Sequence, residues 1–272
     1  MERVVNKLKE YTRHANVKLV NCGNAAIFAA IYILKKVNSK PFILVPDQGG
    51  WISFKTYPKI FGFSVQEIKT DRGIIDLKDL EANAKKGAAL LITSFAGYYA
   101  EQPLKEISEI CRRNKCFLVE DATGALGDST LCNGNYSDII VGSFGKWKTV
   151  DFMEGGFISA NDSDYFEKTK EIYSLLKFRP DYGRLFAKLE KAKERLGKLI
   201  ESAEKVKADL EKINVPIFHR EKRGLNVVVG FNDTRQREAI IEYCKKNNYE
   251  FLVCPKEIRV NEEAISIEVK RL

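Results

Sequence analysis

The chain has 272 residues, 44% of them hydrophobic and 30% charged. That is enough for a large buried core, in one domain or in a large and a small one, and it excludes a disordered polymer. The net charge of +8 raises nucleic acid or an anionic substrate, but the basic residues are interleaved with glutamate, as in residues 190–212, which is the pattern of a solvated helix face rather than of a phosphate-tracking stripe.

Residues 2–13 have helical spacing, with Val4, Val5, Leu8 and Tyr11 on one side. This start carries mixed charge and lacks the apolar segment of a secretion signal. No later run reaches the roughly 18 uninterrupted apolar residues of a membrane helix, so a cytoplasmic protein with no membrane partner is expected. Ala25 to Lys36 is a short, strongly apolar helix that must be buried on most of its circumference. It starts at Gly23-Asn24, where free N–H groups and the positive helix end make a phosphate seat.

Short apolar strands then alternate with amphipathic helices. Strands are expected at 42–45, 64–68, 89–93, 117–119, 138–141 and 156–159, and helices at 52–61, at 77–85 and from Pro103 onward. This order predicts an α/β fold with a mainly parallel sheet sandwiched by helices. Ligands of such sheets bind beyond the carboxyl ends of the strands. Asp47 to Trp51, Ser94 to Glu101, Asp121 to Gly124 and Ser143 to Lys148 all fall there.

Beyond Ala160 a helical stretch, 162–177, is broken around Phe178 to Gly183. A long helix is expected from Arg184 to Ile213, with Leu185, Leu189, Ala192, Leu196, Leu199, Ala203, Val206, Leu210 and Ile213 in a heptad. That seam serves either a coiled-coil partner or the chain's own domain. The tail reads strand 225–231, helix 235–247 and strands 250–253 and 264–269, a small α+β unit. The expected domains are therefore residues 1–183, a connecting helix 184–213, and 214–272. Cys22, Cys111, Cys116, Cys132, Cys244 and Cys254 form no C-x-x-C, and His14 and His219 lie far apart. Reduced thiols are expected, and a metal site is not.

The stretch 121–154 carries the chemistry. One strand ends in Asp121, another in Ser143, Lys148 follows, and Glu154-Gly155-Gly156 opens a third. Pyridoxal phosphate needs a lysine to form an imine, a carboxylate on its pyridine nitrogen, donors for its phosphate and a flat group against its ring. Lys148 and Asp121 suit the first two roles. Asn24 and Ala25 at the helix start, with Ser143, suit the phosphate, and Trp51 suits the ring face. Lys146, two residues before Lys148, is the rival amine. Tyr98, Tyr99 and one of Arg179, Arg220, Arg223 and Arg259 are candidates for the substrate side. No G-x-G-x-x-G, Walker motif or Ser/His/Asp set is present.

With these residues in place the chain resembles the fold-type-I pyridoxal phosphate enzymes, and most of all the DegT/DnrJ/EryC1/StrS sugar aminotransferases. The similarity is carried by Gly23-Asn24-Ala25-Ala26, Val45-Pro46, Glu120-Asp121-Ala122, Ser143-Phe144 with Lys148, and Glu154-Gly155-Gly156, over residues 20–162. The resemblance implies Lys148 as the cofactor lysine, transamination between a small amino donor and an acceptor, and a homodimer with shared sites. The chain departs from the family in placing Gly124 where a Gln is usual and Thr149 where an Asn is usual. The Gly-x-Asn-x-Arg-Met segment has no clear match, and the C-terminal half is short. Elimination or another amino-acid reaction, and a catalytically idle binding protein, are the alternatives to transamination.

Overall fold

The computed structural model describes residues 1–272. Along the chain lie α1 (Glu2–Thr12), β1 (Asn16–Val20), α2 (Gly23–Val37), β2 (Phe42–Pro46), α3 (Ser53–Ile60) and β3 (Ser64–Ile68). A small ladder, β4 (Thr70–Asp71) with β5 (Ile74–Ile75), precedes α4 (Leu77–Ala84) and β6 (Gly87–Thr93). A second, β7 (Phe95–Ala96) with β8 (Ala100–Glu101), precedes α5 (Leu104–Arg113). Then come β9 (Phe117–Asp121), β10 (Ile139–Ser143), β11 (Gly156–Ala160) and α6 (Asp164–Glu167). The chain ends with α7 (Tyr182–Glu190), α8 (Ala192–Glu211), β12 (Val227–Gly230), α9 (Thr234–Lys246), β13 (Phe251–Cys254) and β14 (Ala264–Ile267).

The main sheet has seven strands in the order β1-β11-β10-β9-β6-β2-β3. Only β11 runs against its neighbours. The inner strands β2, β6, β9, β10 and β11 are mostly apolar because both faces are covered, while the edge strands β1 and β3 carry polar, partly exposed positions. Leu44, Leu90, Ile92, Leu118, Ile140 and Phe157 join one core with α1, α4, α5 and α7. Their strand neighbours Ile43, Ala89, Leu91, Val119, Ile139 and Ile158 join the other with α2. The alanines of α2 are its tool for close approach: Ala26, Ala29 and Ala30 are fully buried. A separate antiparallel sheet, β12-β14-β13, packs Val227, Val229, Ile265 and Ile267 against α8 and α9.

Two local expectations change, and one strand lies where none was expected. Residues 16–20, which have no strong alternation, form edge strand β1 because β11 offers them a partner from Asn16↔Ala160 to Val20↔Gly156. The stretch 162–177 is not one helix but the single turn α6 and a 3-10 segment, Lys170–Ser174. The 184–213 helix is two helices that part at Lys191. There the Tyr11 hydroxyl donates to the Leu189 carbonyl at 2.8 Å, a carbonyl that an unbroken helix would pair with the N–H of Lys193. The heptad seam faces the chain itself. Leu185 to Leu199 sit in the large core, Ala203, Val206 and Leu210 in the small one, and Ile213 lies beyond the helix, 41% exposed.

Candidate active site

Strands β1, β9 and β10 deliver their carboxyl ends to one cavity of about 180 Å³, lined by Cys22, Gly23, Asn24, Trp51, Tyr98, Asp121, Thr123, Ser143 and Lys148, with Ile27 behind. The turn from β1 into α2 forms one wall. A Cβ on Gly23 would stand 2.7 Å from Cβ of Ser143, so only glycine lets the helix start come this close to the end of β10. The first N–H groups of α2 have no partner within the helix and face the anion-favouring end of its dipole. Ser143 Oγ, on the opposite side, accepts from the N–H of Gly145 at 3.1 Å.

Ala25 is not part of this lining. Its N–H turns to Sγ of Cys22, the N-cap, at 3.4 Å. The Asn24 side chain is committed as well: its Oδ1 accepts from Trp51 Nε1 at 2.7 Å. It therefore holds the indole in place, an alignment between residues 27 positions apart.

Two carboxylates are adjacent on β9 and point to opposite faces, as the strand period requires. Glu120 is fully occupied, accepting from Ser94 Oγ at 2.7 Å, Ser137 Oγ at 2.7 Å and the Cys132 N–H at 2.8 Å. Asp121 is not. Thr123 donates to its Oδ1 from both N–H and hydroxyl, while the same hydroxyl accepts from the N–H of Ser143 at 3.0 Å. Oδ2 takes no hydrogen bond and belongs to the cavity wall. Burial pushes this carboxyl above its usual range, opposed by the Thr123 donors and the Lys148 charge. A carboxylate so placed calls for a cationic partner.

Lys148 projects between two aromatic rings, its Nζ 5.8 Å from the Trp51 centroid and 5.2 Å from that of Tyr98. It donates to the Tyr98 hydroxyl at 3.2 Å. Lys146 turns instead to the ring of Trp147, 4.3 Å away. Tyr98 stands in the left-handed region, φ 68°, a costly conformation for an aromatic residue. It directs the ring over Gly124, where a Cβ would meet Tyr98 Cε1 at 3.1 Å. Burial raises the phenol's pKa, and the nearby Lys148 charge opposes it.

The remaining substrate-side candidates are held by other partners, although the Arg259 guanidinium lies 5.5 Å from the Tyr98 centroid. Tyr99 is 1% exposed; its hydroxyl donates to the Arg72 carbonyl and its ring stacks on His219. It is a packing residue because its neighbour's positive φ sends the two rings in different directions. Arg259 is buried and locked to Glu268 at 2.9 and 2.7 Å, with its third nitrogen on the Ile258 carbonyl. Arg223 pairs with Glu101 and Asp128, and Arg220 with Glu204 and Glu211. Arg179 is exposed. Cys22 and Thr123 line the cavity although sequence reasoning had not assigned them a role. The Asp-x-Thr spacing, a common side-chain-to-backbone turn, is the signal that could have found Thr123. Nothing in the tail pattern marks Lys270, whose Nζ lies 4.8 Å from the Tyr98 centroid.

A mainly parallel sheet with a helix-start anion seat, a free buried carboxylate and an amine at its strand ends defines a cofactor-dependent α/β enzyme. The chain's relatives narrow that class. Residues 1–186 match the DegT/DnrJ/EryC1/StrS aminotransferase family, and residues 193–272 the MJ1341 family C-terminal domain. The protein belongs to the DegT/DnrJ/EryC1/StrS aminotransferase family. Ninety residues are 34% identical to a probable glycine dehydrogenase (decarboxylating) subunit 1 of Geobacillus kaustophilus, a match spanning 32% of this chain and only 20% of that protein. Helicobacter pylori PseC, an aminotransferase involved in the biosynthesis of pseudoaminic acid, shares the fold with a TM-score of 0.75 and 16% identity, over 97% of this chain and 84% of its own. The structure of SPT with PLP as its internal aldimine shares it with a TM-score of 0.75 and 14% identity, over 98% and 70%. Family and fold indicate pyridoxal phosphate as the cofactor, and the lining suits it: a helix-start donor pair, an open carboxylate oxygen, an indole and an amine surround one cavity.

Proposed function

We propose that the protein is a pyridoxal phosphate-dependent aminotransferase in which Lys148 holds the cofactor as a Schiff base. The observation that carries this reading is the shared cavity of the Lys148 amine and the unpaired oxygen of Asp121. Bound there, the cofactor supplies an electron sink for a carbanion formed at the substrate's α-carbon. Asp121 keeps the pyridine nitrogen protonated, which also matches the buried carboxyl with the positive charge it lacks. The N–H groups of Gly23 and Asn24 and the Ser143 hydroxyl hold the phosphate. Trp51, fixed by Asn24, covers a ring face.

With the cofactor bound, the amine of Lys148, when free, would move the substrate's α-proton as general base. The Tyr98 hydroxyl is within hydrogen-bond reach to hold that amine in position. In this reading residues 1–183 seat the cofactor, 214–272 close the substrate side, and 184–213 connect them. A homodimer is part of the proposal, supported by exposed Ile52 (57%) and Met153 (59%) on loops beside the site. Light scattering would test it.

The test of the cofactor reading is spectral. Purified protein with pyridoxal phosphate gains a visible band that Lys148→Ala abolishes and Lys146→Ala leaves intact. A band that survives in Lys148→Ala overturns the assignment. Amino donors then convert the band to the pyridoxamine form. Release of ammonia or sulfide instead identifies elimination, and a band that no amine perturbs identifies an idle binding protein.

A further inference from the structure

Lys270 is a buried lysine whose amine has no hydrogen-bond partner. Its side chain is 6% exposed, and the carboxylate oxygen it faces, Glu268 Oε2, is 3.8 Å away. That carboxylate is already claimed by Arg259 at 2.9 and 2.7 Å, Ser266 at 2.9 Å and Asn226 at 3.2 Å. Arg271 adds a further cation 3.5 Å from the same oxygen. Three cations thus face one carboxylate, and the least satisfied of them points at Tyr98, the residue that meets Lys148. The amine lies 4.8 Å from the centroid of Tyr98, a ring that lines the cavity.

Building on the reading of the site as an aminotransferase, we propose that Lys270 receives the anionic group of the substrate, a carboxylate of a small amino or keto acid. Arg259 is not free to do so. Its guanidinium is consumed by Glu268 and the Ile258 carbonyl, and it serves as the strut that keeps Glu268 from capturing Lys270. A carboxylate would supply the charge-assisted hydrogen bonds that the amine lacks and offset the excess positive charge of Lys270, Arg259, Arg271 and Lys148. Burial, and after it the Lys148 charge, lowers the amine to about 7. An arriving anion favours its charged form, so binding above that pH draws in a proton.

The experiment is calorimetric titration with 2-oxoglutarate at pH 8, in two buffers of different ionisation enthalpy, with glycerol as the neutral control. Wild-type protein binds 2-oxoglutarate with uptake of a proton and does not bind glycerol. Lys270→Met and Lys270→Gln each weaken binding by about tenfold or more and abolish the uptake. Lys270→Arg keeps binding within a few-fold but takes up no proton. Wild-type affinity and proton uptake in both neutral variants overturn the proposal, as does a wild-type protein that fails to bind the keto acid. The visible cofactor band is recorded on the same samples. Its absence in wild type counts against the cofactor reading, whereas its presence in Lys270→Met with unimpaired keto-acid binding counts against Lys270 alone.

Discussion

A Cβ placed on Gly124 would stand 3.1 Å from Cε1 of Tyr98 and 3.2 Å from Cδ1 of Leu225, so Tyr98 and Gly124 share one volume. The glycine that departs from the resembled family's glutamine is matched by a tyrosine lying over it, and that tyrosine holds Lys148. Gly124→Ala is expected to shift the ring, lengthen the 3.2 Å bond to Lys148 and lower stability by about 1–3 kcal/mol. In a Tyr98→Ala background the cost of Gly124→Ala should be smaller. A double-mutant cycle by urea unfolding measures the coupling, and strictly additive values contradict the shared volume.

Asp121→Asn keeps an acceptor for Thr123 but removes the charge facing the cavity. Stability should change little, while turnover with pyridoxal phosphate falls by about a hundredfold or more, the scale of losing one preorganised electrostatic contact. Steady-state kinetics beside a thermal melt separate the two effects.

Thr123→Val removes the donors' shared hydroxyl, which links Ser143 to Asp121. About 1–3 kcal/mol of stability should be lost, because the N–H of Ser143 is left without its acceptor. Thr123→Ser keeps the hydroxyl and should lose less than half as much in the same denaturant titration.

His14 makes stability depend on acidity away from the site. Its ring nitrogens meet Ser159 Oγ and the Ser137 carbonyl, each at 3.0 Å, and burial lowers its pKa from 6.5 to about 4. A folded-state value below the unfolded one stabilises the protein fully above 6.5, and that stabilisation is lost as pH falls toward 4. The loss is about 3 kcal/mol at most. Urea midpoints measured across this window should decline in wild type and decline less in His14→Gln, after subtraction of the carboxylates' common slope.

Tyr11→Phe frees the Leu189 carbonyl that Tyr11 now occupies. The expected loss is about 0.5–1.5 kcal/mol, the net worth of one hydrogen bond. Amide exchange at Lys193 should slow as α7 and α8 join. Unchanged exchange would show that the break has another cause.

Local pattern alone determined much of this protein. Apolar runs bounded by Asp121 and Ser143 and the glycine start of α2 are set by strand and helix periodicity over a few residues, and they name the loops that meet at the sheet edge; Lys148 is singled out from Lys146 only by the spacing of the resembled family. The tertiary structure decided what periodicity cannot carry. Asn24 finds Trp51, Tyr98 finds Lys148, and Lys270 comes beside Tyr98 across the length of the chain. Tyr98 and Tyr99 are alike in sequence, yet one lines the cavity and the other is packed away, because a positive φ at Tyr98 turns the backbone between them. Likewise Arg259 and Lys270 are equivalent as isolated cations. Only the fold places Glu268 so that it saturates the arginine and leaves the lysine's donors free.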